Sequence, residues 1–200
     1  MRIQKKECKI ISRYKEYIES EVTEIEKNCL EHKNWKAFFI EDIFDIKSGV
    51  RLTKENMLEG KKPFIGSSAE NNGITAFVSN ENKSLDENTL GVNYNGSVVE
   101  NFYHPYQCIF SDDVKRFHLK DIKNDKYVFL FMKNSILKQK IRFEYGYKFN
   151  EFHMKKTKIM LPAIEVNNKF IPDYQYMKIY MKKLEYRQII RYLIYLGNKA

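Results

Sequence analysis

The sequence WKAFFIEDIFDIKSG, residues 35–49, marks the point at which the chain changes from a helical pattern to a β-strand pattern. The apolar runs after it are short, and clusters of Asn, Gly and Ser separate them, as is typical of brief strands joined by turns. The clearest runs are Phe38–Ile40, Pro63–Ile65, Ile74–Val78 and Thr89–Val92. Asn72-Gly73 and Asn95-Gly96 predict tight turns, because both residue types tolerate positive φ.

Helical patterns flank this β-rich zone and interrupt it once. Residues 10–32 carry an apolar stripe at spacings of three and four, formed by Ile11, Tyr14, Ile18, Val22, Ile25 and Cys29. Lys126 to Phe143 shows a second pattern of this kind. Asp173, after Pro172, predicts the N-cap of a helix that runs from Gln175 toward Leu196, and Gly197 predicts its end.

Together these patterns predict an α+β fold, in which an irregular β-rich domain has packed helices and a long C-terminal helix. We place an N-terminal helical segment at residues 1–34, the β-rich domain at residues 35–170 and the C-terminal helix at residues 171–200.

The amino-acid composition limits the classes of molecule that the chain is expected to bind. The chain has 35 Lys and Arg against 26 Asp and Glu, a net charge of +9, which favours a polyanion such as nucleic acid, although a lysine-rich composition explains the charge equally well. No run of about 18 apolar residues is present, so no transmembrane helix and no membrane partner are expected. Cys8, Cys29 and Cys108 lack the spacing of a zinc site or redox pair. We therefore expect a reduced, cytoplasmic protein without a bound metal.

From residue 35 onward the sequence resembles the target recognition domains of type I restriction-modification DNA specificity subunits. The landmarks come in the order of that family and cover about residues 35–196: WKAFFIEDIFDIKSG at 35–49, KPFIGSS at 62–68, NNGITAFV at 71–78, NGS at 95–97 leading to Phe102-Tyr103, IMLP at 159–162 and PDYQYM at 172–177. The opening stretch, with its Trp and paired Phe, is most similar to the branch found also in type IIB and IIG systems.

The resemblance implies a component that recognises a sequence in double-stranded DNA and has no cofactor of its own. It also implies a partner methyltransferase subunit that uses S-adenosylmethionine, with a restriction subunit as a further partner. This chain departs from the family in having one recognition domain where a full subunit usually has two. We therefore expect a half-subunit that forms a homodimer through its helices and contacts two half-sites of an interrupted palindrome.

Motifs for catalysis are absent from the sequence, so we predict no catalytic residues. The four prolines are isolated, which excludes the Asn/Asp-Pro-Pro-aromatic element of an adenine methyltransferase, and no glycine-rich phosphate loop occurs. Asp112-Asp113 with Lys115 gives a carboxylate pair without a clear third ligand for a nuclease metal. The four histidines are dispersed and do not have metal-ligand spacing.

Two sets of residues are candidates for contacts. The candidates for DNA binding combine hydrogen-bonding side chains in the Gly66–Gly73 and Asn93–Tyr103 segments with flanking cations: Arg51, Lys54, Lys62, Ser67, Ser68, Asn71, Asn72, Asn93, Tyr94, Asn95, Ser97, Tyr103, Lys148 and Lys155. Turn formation is the favoured explanation of Asn72 and Asn95. Core packing explains the tyrosines of Tyr145-Gly-Tyr147 as well as stacking on a base does.

The candidates for a protein interface lie along the C-terminal helix: Met177, Tyr180, Met181, Leu184, Ile189, Leu193 and Leu196. Packing of these residues within the chain is the alternative. Two other functions stay open from the sequence. One is a helix-mediated protein-interaction module whose charge is incidental, and the other is the recognition domain of a fused restriction-methylation enzyme.

Overall fold

The computed structural model describes residues 12–21, 23, 34–143 and 147–197. Chain contacts divide it into two units, which we call the β unit, Asn34–Pro172, and the helical unit, Met1–Lys33 with Asp173–Ala200. The predicted bounds of the β-rich domain, 35–170, lie one and two residues inside the β unit. The predicted α+β class is confirmed.

The β unit contains ten strands and three of the described α-helices. The strands are β1 (Asn34–Phe39), β2 (Phe44–Ser48), β3 (Glu59–Ile65), β4 (Ile74–Val78), β5 (Thr89–Asn93), β6 (Asn101–His104), β7 (Ile109–Phe110), β8 (Val114–Leu119), β9 (Lys158–Val166) and β10 (Lys169–Pro172). In the helical unit, residues 12–21 form α1, and Tyr174–Gly197 form the long helix α5. Between them in the chain come α2 (Ile40–Ile43), α3 (Lys126–Leu137) and α4 (Glu151–Lys156).

Three small sheets build the β unit. An antiparallel sheet has the order β1-β9-β10, and a second has the order β2-β8-β5-β6. In the third, β4-β3-β7, β3 pairs antiparallel with β4 and parallel with β7. Strand β5 pairs with both β6 and β8, and β7 pairs with β3. These pairings bring loops that are far apart in the sequence close together.

The core lies where these sheets and α3 meet. The rings of Phe44 on β2 and Phe117 on β8 are 5.0 Å apart, and both side chains are fully buried. A second cluster consists of the buried residues Ile65, Cys108, Phe110 and Val114, and the partly buried Ile74 packs against it. Burial of this apolar surface is the main source of the unit's stability.

Several predicted element ends differ from the structure. The strand predicted at 38–40 ends at Phe39, and Ile40 begins α2, whose first turn contains Glu41 and Asp42, acidic residues that stabilise a helix N-terminus. The helical pattern at 126–143 is an α-helix only to Leu137 and continues as a 3-10 helix, Lys138–Arg142. Of the 10–32 stripe, Ile11, Val22, Ile25 and Cys29 lie outside the described residues.

The C-terminal helix begins at Tyr174, one residue before the predicted Gln175. The Asp173 carboxylate accepts a hydrogen bond from the backbone N–H of Tyr176 at 2.9 Å, which confirms the predicted N-cap. Helix α4 was not predicted. It is only six residues long, and Asn150 caps it by accepting from the N–H of His153 at 2.9 Å.

Candidate nucleic-acid interface

The loop between β3 and β4, residues 66–73, is closed by a backbone hydrogen bond. The N–H of Gly66 donates to the carbonyl of Gly73 at 2.8 Å, so the two ends of the loop are joined. Asn71, Asn72 and Gly73 all have positive φ, of 49°, 53° and 77°. Asn and Gly adopt this backbone conformation at least cost, which is why the NNG sequence turns the chain here.

A second loop joins β5 to β6 through residues 94–100. Gly96 has φ of 60°, whereas Asn95 is absent from the positive-φ residues, so the turn at Asn95-Gly96 depends on the glycine alone. Val99 also has positive φ, 68°, which is rare for a β-branched residue. Its N–H donates to the carbonyl of Asn93 at 2.9 Å, and its side chain is fully buried, so packing holds the strained backbone in place.

These two loops contact each other directly. The N–H of Ser97 donates to the carbonyl of Ser67 at 3.1 Å. The side-chain amide of Asn93 donates to the carbonyl of Ser68 at 3.2 Å. Two segments that are about 25 to 30 residues apart in the sequence are therefore joined at two points.

Two further segments complete the same surface. Residues 111–113, between β7 and β8, are attached to β3 because the N–H of Ser111 donates to the carbonyl of Ile65 at 2.8 Å. They are attached to the second loop because Asn95 donates to the Asp113 carboxylate at 3.0 Å. Residues 49–51 follow β2, and the N–H of Val50 donates to the carbonyl of Phe110 at 2.8 Å. We call the surface formed by residues 49–51, 66–73, 94–97 and 111–113 the four-loop edge.

The four-loop edge carries both signs of charge. The Arg51 guanidinium lies 3.6 Å from the Asp112 carboxylate, and the Lys115 ammonium lies 5.4 Å from the centre of the Tyr94 ring. Burial, followed by the nearby carboxylates of Asp113 and Asp112, raises the pKa of the Tyr94 hydroxyl above its ordinary value. Tyr94 therefore stays a neutral hydrogen-bonding group at physiological pH.

Eight of the predicted DNA-binding residues lie on the four-loop edge: Arg51, Ser67, Ser68, Asn71, Asn72, Tyr94, Asn95 and Ser97. Asn71 and Asn72 are exposed, and the three serines are half-buried. Asn95 supports the loop contact through Asp113, so it has a structural role besides any contact with a base.

The other six predicted residues lie elsewhere or are engaged in the fold. Asn93 is buried, at 1% exposure, so its amide joins the two loops and does not face solvent. The Tyr103 hydroxyl donates to Asn88 at 2.7 Å, and its ring packs beside Phe129. Lys62 is paired with Glu81 at 2.9 Å, and Lys155 is paired with Glu151 at 2.8 Å.

Lys54 and Lys148 are the exposed cations of the predicted set that lie outside the edge. Lys54 begins a 3-10 helix, Lys54–Asn56, and Lys148 lies just before α4. Of the two tyrosines near Lys148, Tyr145 lies outside the described residues, and the ring of Tyr147 stacks on Phe143 at 5.4 Å. Tyr147 therefore has a packing contact inside the chain, while its side chain is 53% exposed.

Sequence reasoning missed the part that Asp112 and Asp113 take in this surface. We considered them with Lys115 as incomplete nuclease ligands, but each faces a cation or an amide that supports a loop. In the described part of the chain, no group of three or more His, Cys, Asp or Glu is arranged to hold a metal ion. The sequence signal that could have indicated a turn at Asp112 and Asp113 was their position between two apolar strand segments.

The helical unit has an exposed aromatic and aliphatic surface. Tyr180, Leu184, Tyr192, Ile194 and Tyr195 are 37% to 60% exposed along α5. Of the predicted interface residues, Met177 and Leu193 are buried within the chain, so they cannot contact a partner in this conformation. Met181, Ile189 and Leu196 are half-buried.

Residues of α1 lie close enough to α5 to influence a tyrosine on it. Burial, followed by the charge of Glu21 and the neighbouring Tyr17 and Tyr14, raises the pKa of Tyr186 on α5. Ile18, on the apolar stripe of α1, is only 2% exposed. Tyr14, the other described residue of that stripe, is 50% exposed, so the stripe is covered only in part. Neither α1 nor any other described helix is long and apolar enough to cross a membrane.

The geometry agrees with the family that the sequence resembles. The family model described as "Type I restriction modification DNA specificity domain" matches residues 32–191, and the chain belongs to this family. Over 162 residues, 81% of this chain, it is 53% identical to the type II restriction enzyme specificity subunit S.BcgI of Heyndrickxia coagulans. The chain spans 47% of the length of that relative.

Solved structures show the same fold. The S subunit of a type I restriction-modification system from M. genitalium superposes with a TM-score of 0.54 at 14% identity, over 97% of this chain and 57% of that one. The HsdS subunit from Thermoanaerobacter tengcongensis gives a TM-score of 0.52 at 12% identity, over 98% of this chain and 50% of that one. The predicted family and fold are confirmed.

Proposed function

We propose that this chain is the sequence-recognition component of a restriction-modification system and that the four-loop edge contacts base edges in double-stranded DNA. The observation that carries the proposal is the convergence of hydrogen-bonding side chains from four separated segments. Backbone hydrogen bonds hold these segments together. Readout of sequence requires donors and acceptors fixed in position, because a mobile side chain adapts to any base.

The cations outside the edge have a different task. Lys54 and Lys148 are exposed and would contact phosphates, which sets affinity without sequence preference. Lys62 and Lys155 would contribute less, because each is already paired with a glutamate. The net charge of +9 favours approach to DNA, and this contribution weakens as salt is added.

The chemistry of modification belongs to a partner in this proposal. A methyltransferase subunit would bind S-adenosylmethionine and methylate adenine, and a restriction subunit would cleave unmodified DNA. The chain itself would be non-catalytic, since Asp112 and Asp113 are engaged in holding loops. It would act in the cytoplasm, where the buried thiol of Cys108 stays reduced.

Exposed residues of α5 are the surface that we assign to protein partners. Tyr180 and Leu184 are predicted interface residues that remain exposed, and Tyr192, Ile194 and Tyr195 extend this surface toward the C-terminus. Aromatic and aliphatic side chains of this kind are enriched in protein interfaces. Two copies joined through α5 would present two four-loop edges to an interrupted palindrome. A monomeric mass by sedimentation, at working concentration and without partners, would contradict the homodimer.

Methylation mapping tests the proposed function. Genomic DNA is sequenced for methyladenine from cells that contain the partner methyltransferase with this chain, and from cells that contain the methyltransferase alone. We expect one new methylated motif that requires the chain. An active methyltransferase that methylates the same sites with and without the chain would contradict the proposal.

A further inference from the structure

Arg51 lies on the four-loop edge, directly after two residues whose backbone is hydrogen-bonded to two other segments. The side chain of Arg51 is 77% exposed. The N–H of Gly49 donates to the carbonyl of Val114 at 3.2 Å, and the N–H of Val50 donates to the carbonyl of Phe110 at 2.8 Å. The side chain therefore projects from a segment that is hydrogen-bonded to β7 and β8.

Asp112 lies beside this guanidinium and is itself positioned. Its Oδ2 is 3.6 Å from Nη1 of Arg51, and its Oδ1 accepts from the Ser111 hydroxyl at 3.3 Å. The same hydroxyl accepts from the N–H of Asp113 at 3.2 Å, which fixes the turn. A guanidinium has five N–H donors, so one carboxylate at its side leaves donors for a second acceptor.

The two neighbouring carboxylates decide what Arg51 can bind. Asp112 and Asp113 make this part of the edge unfavourable for a phosphate, because like charges repel it. They do not disfavour the neutral O6 and N7 acceptors of guanine, which an arginine contacts with two parallel hydrogen bonds in the major groove. Arg51 therefore differs from the exposed lysines, Lys54 and Lys148.

We propose that Arg51 determines specificity by contacting one guanine of the target sequence, and that Asp112 is the positioning residue that orients its guanidinium. This assignment rests on the proposed function, because it assumes that the four-loop edge faces DNA bases.

The test compares R51K with K169R, a charge-conserving change at an exposed lysine of β10. Each variant keeps its positive charge, so a phosphate contact survives both changes. A two-point guanine contact is weakened in R51K, because the lysine ammonium keeps the charge but lacks the planar fork. The full chain, with its partner methyltransferase, selects sites from a duplex library with a randomised central segment. We expect wild type and K169R to select the same motif and R51K to lose about 5- to 150-fold of its preference for guanine at one position only.

The variant D112N separates positioning from charge. Removing a negative charge raises affinity for all DNA sequences, whereas a loosened Arg51 lowers the preference for guanine at the position that R51K affects. We expect both changes together. A merely structural aspartate would not lower the preference at that one base pair.

Each outcome decides between the claims. If wild type selects a motif and R51K selects it equally well, Arg51 is not the guanine contact, and the proposed function stands. If R51K weakens all sequences alike, with no loss of preference at one position, the role of Arg51 does not depend on the base, and the assignment is again wrong. If wild type selects no motif, both the proposed function and the assignment are wrong.

Discussion

Gly96 lies against Ser67 so closely that a β-carbon at position 96 would be 2.5 Å from the Ser67 Oγ and 2.7 Å from its carbonyl oxygen. This contact joins the loop after β5 to the loop after β3. A side chain at position 96 is incompatible with this arrangement of the two loops, because the Ser67 carbonyl belongs to the backbone and cannot rotate away.

G96A should therefore destabilise the β unit. Alanine would meet the Ser67 carbonyl and would also have to adopt φ of 60°, which costs an L-residue free energy. We expect a loss of about 1–3 kcal/mol in the free energy of unfolding, measured by urea denaturation. G197A is the matched control, because nothing lies within 4 Å of a β-carbon there, and it should change stability by less than about 0.5 kcal/mol. Equal effects of the two variants would mean that the loops do not touch at Gly96.

A buried charge pair supports the second sheet. Nη1 of Arg116 lies 2.8 Å from Oδ2 of Asp86, and His118 Nε2 lies 2.9 Å from the same oxygen. Burial alone would raise the pKa of Asp86, but the hydrogen bond and charge of His118, with the charge of Arg116, lower it below its ordinary value. The Asp86 contribution to stability is therefore present above the unfolded pKa, near 4, and is lost as pH falls through the lower folded pKa.

D86N should cost about 3 kcal/mol of stability at pH 7, because it leaves the Arg116 charge buried without its partner. The matched control is E81Q, which breaks the Lys62–Glu81 pair, in which the glutamate is 74% exposed. E81Q should cost less than about 1 kcal/mol. Chemical denaturation of both variants measures the difference. If D86N is as mild as E81Q, the pair does not support the fold.

His104 should make the free energy of unfolding depend on pH in a higher pH range than Asp86 does. It is fully buried, and burial, followed by the charge of Lys133, lowers its pKa to about 4. In the unfolded chain the same imidazole has a pKa near 6.5, so between these values the unfolded state binds the proton and the folded state does not. Stability therefore falls as pH falls, by about 2 kcal/mol between pH 7 and pH 5.

Urea unfolding at several pH values measures this dependence. H104Q removes the titrating group, so the slope of stability between pH 7 and pH 5 should flatten, whatever the variant costs in absolute stability. An unchanged slope in H104Q would show that His104 does not titrate in this way.

The sequence predicted the elements whose causes are local. The apolar run Ile74–Val78, the turn at Asn72-Gly73 and the cap at Asp173 all follow from residue types at fixed spacing. The two candidate loops were also predicted from their Asn, Gly and Ser content. The contact between them was not, because Gly96 against Ser67 depends on strand order, which no local pattern encodes.

Burial was the other property that the sequence could not supply. Asn93 belongs to the same polar cluster as Asn95, yet it is at the end of β5, where all five residues are buried. Met177 and Leu184 follow one helical stripe, but one is buried and the other is 38% exposed. Which side of a stripe is covered depends on the partners in the fold.

The most direct test of the central claim uses two matched turns. Asn71-Asn72 on the four-loop edge and Asn167-Asn168 between β9 and β10 are both exposed pairs in the left-handed conformation, with φ between 49° and 60°. Glycine adopts this conformation without strain, so N71G/N72G and N167G/N168G keep their turns and lose only the side-chain amides.

The measurement is the methylated motif that each variant directs with the partner methyltransferase. If the four-loop edge contacts bases, N71G/N72G should lose or relax part of the motif, while N167G/N168G should give the wild-type motif. An unchanged motif in N71G/N72G together with a changed motif in N167G/N168G would place the DNA-contacting surface at the β9–β10 turn and contradict the account.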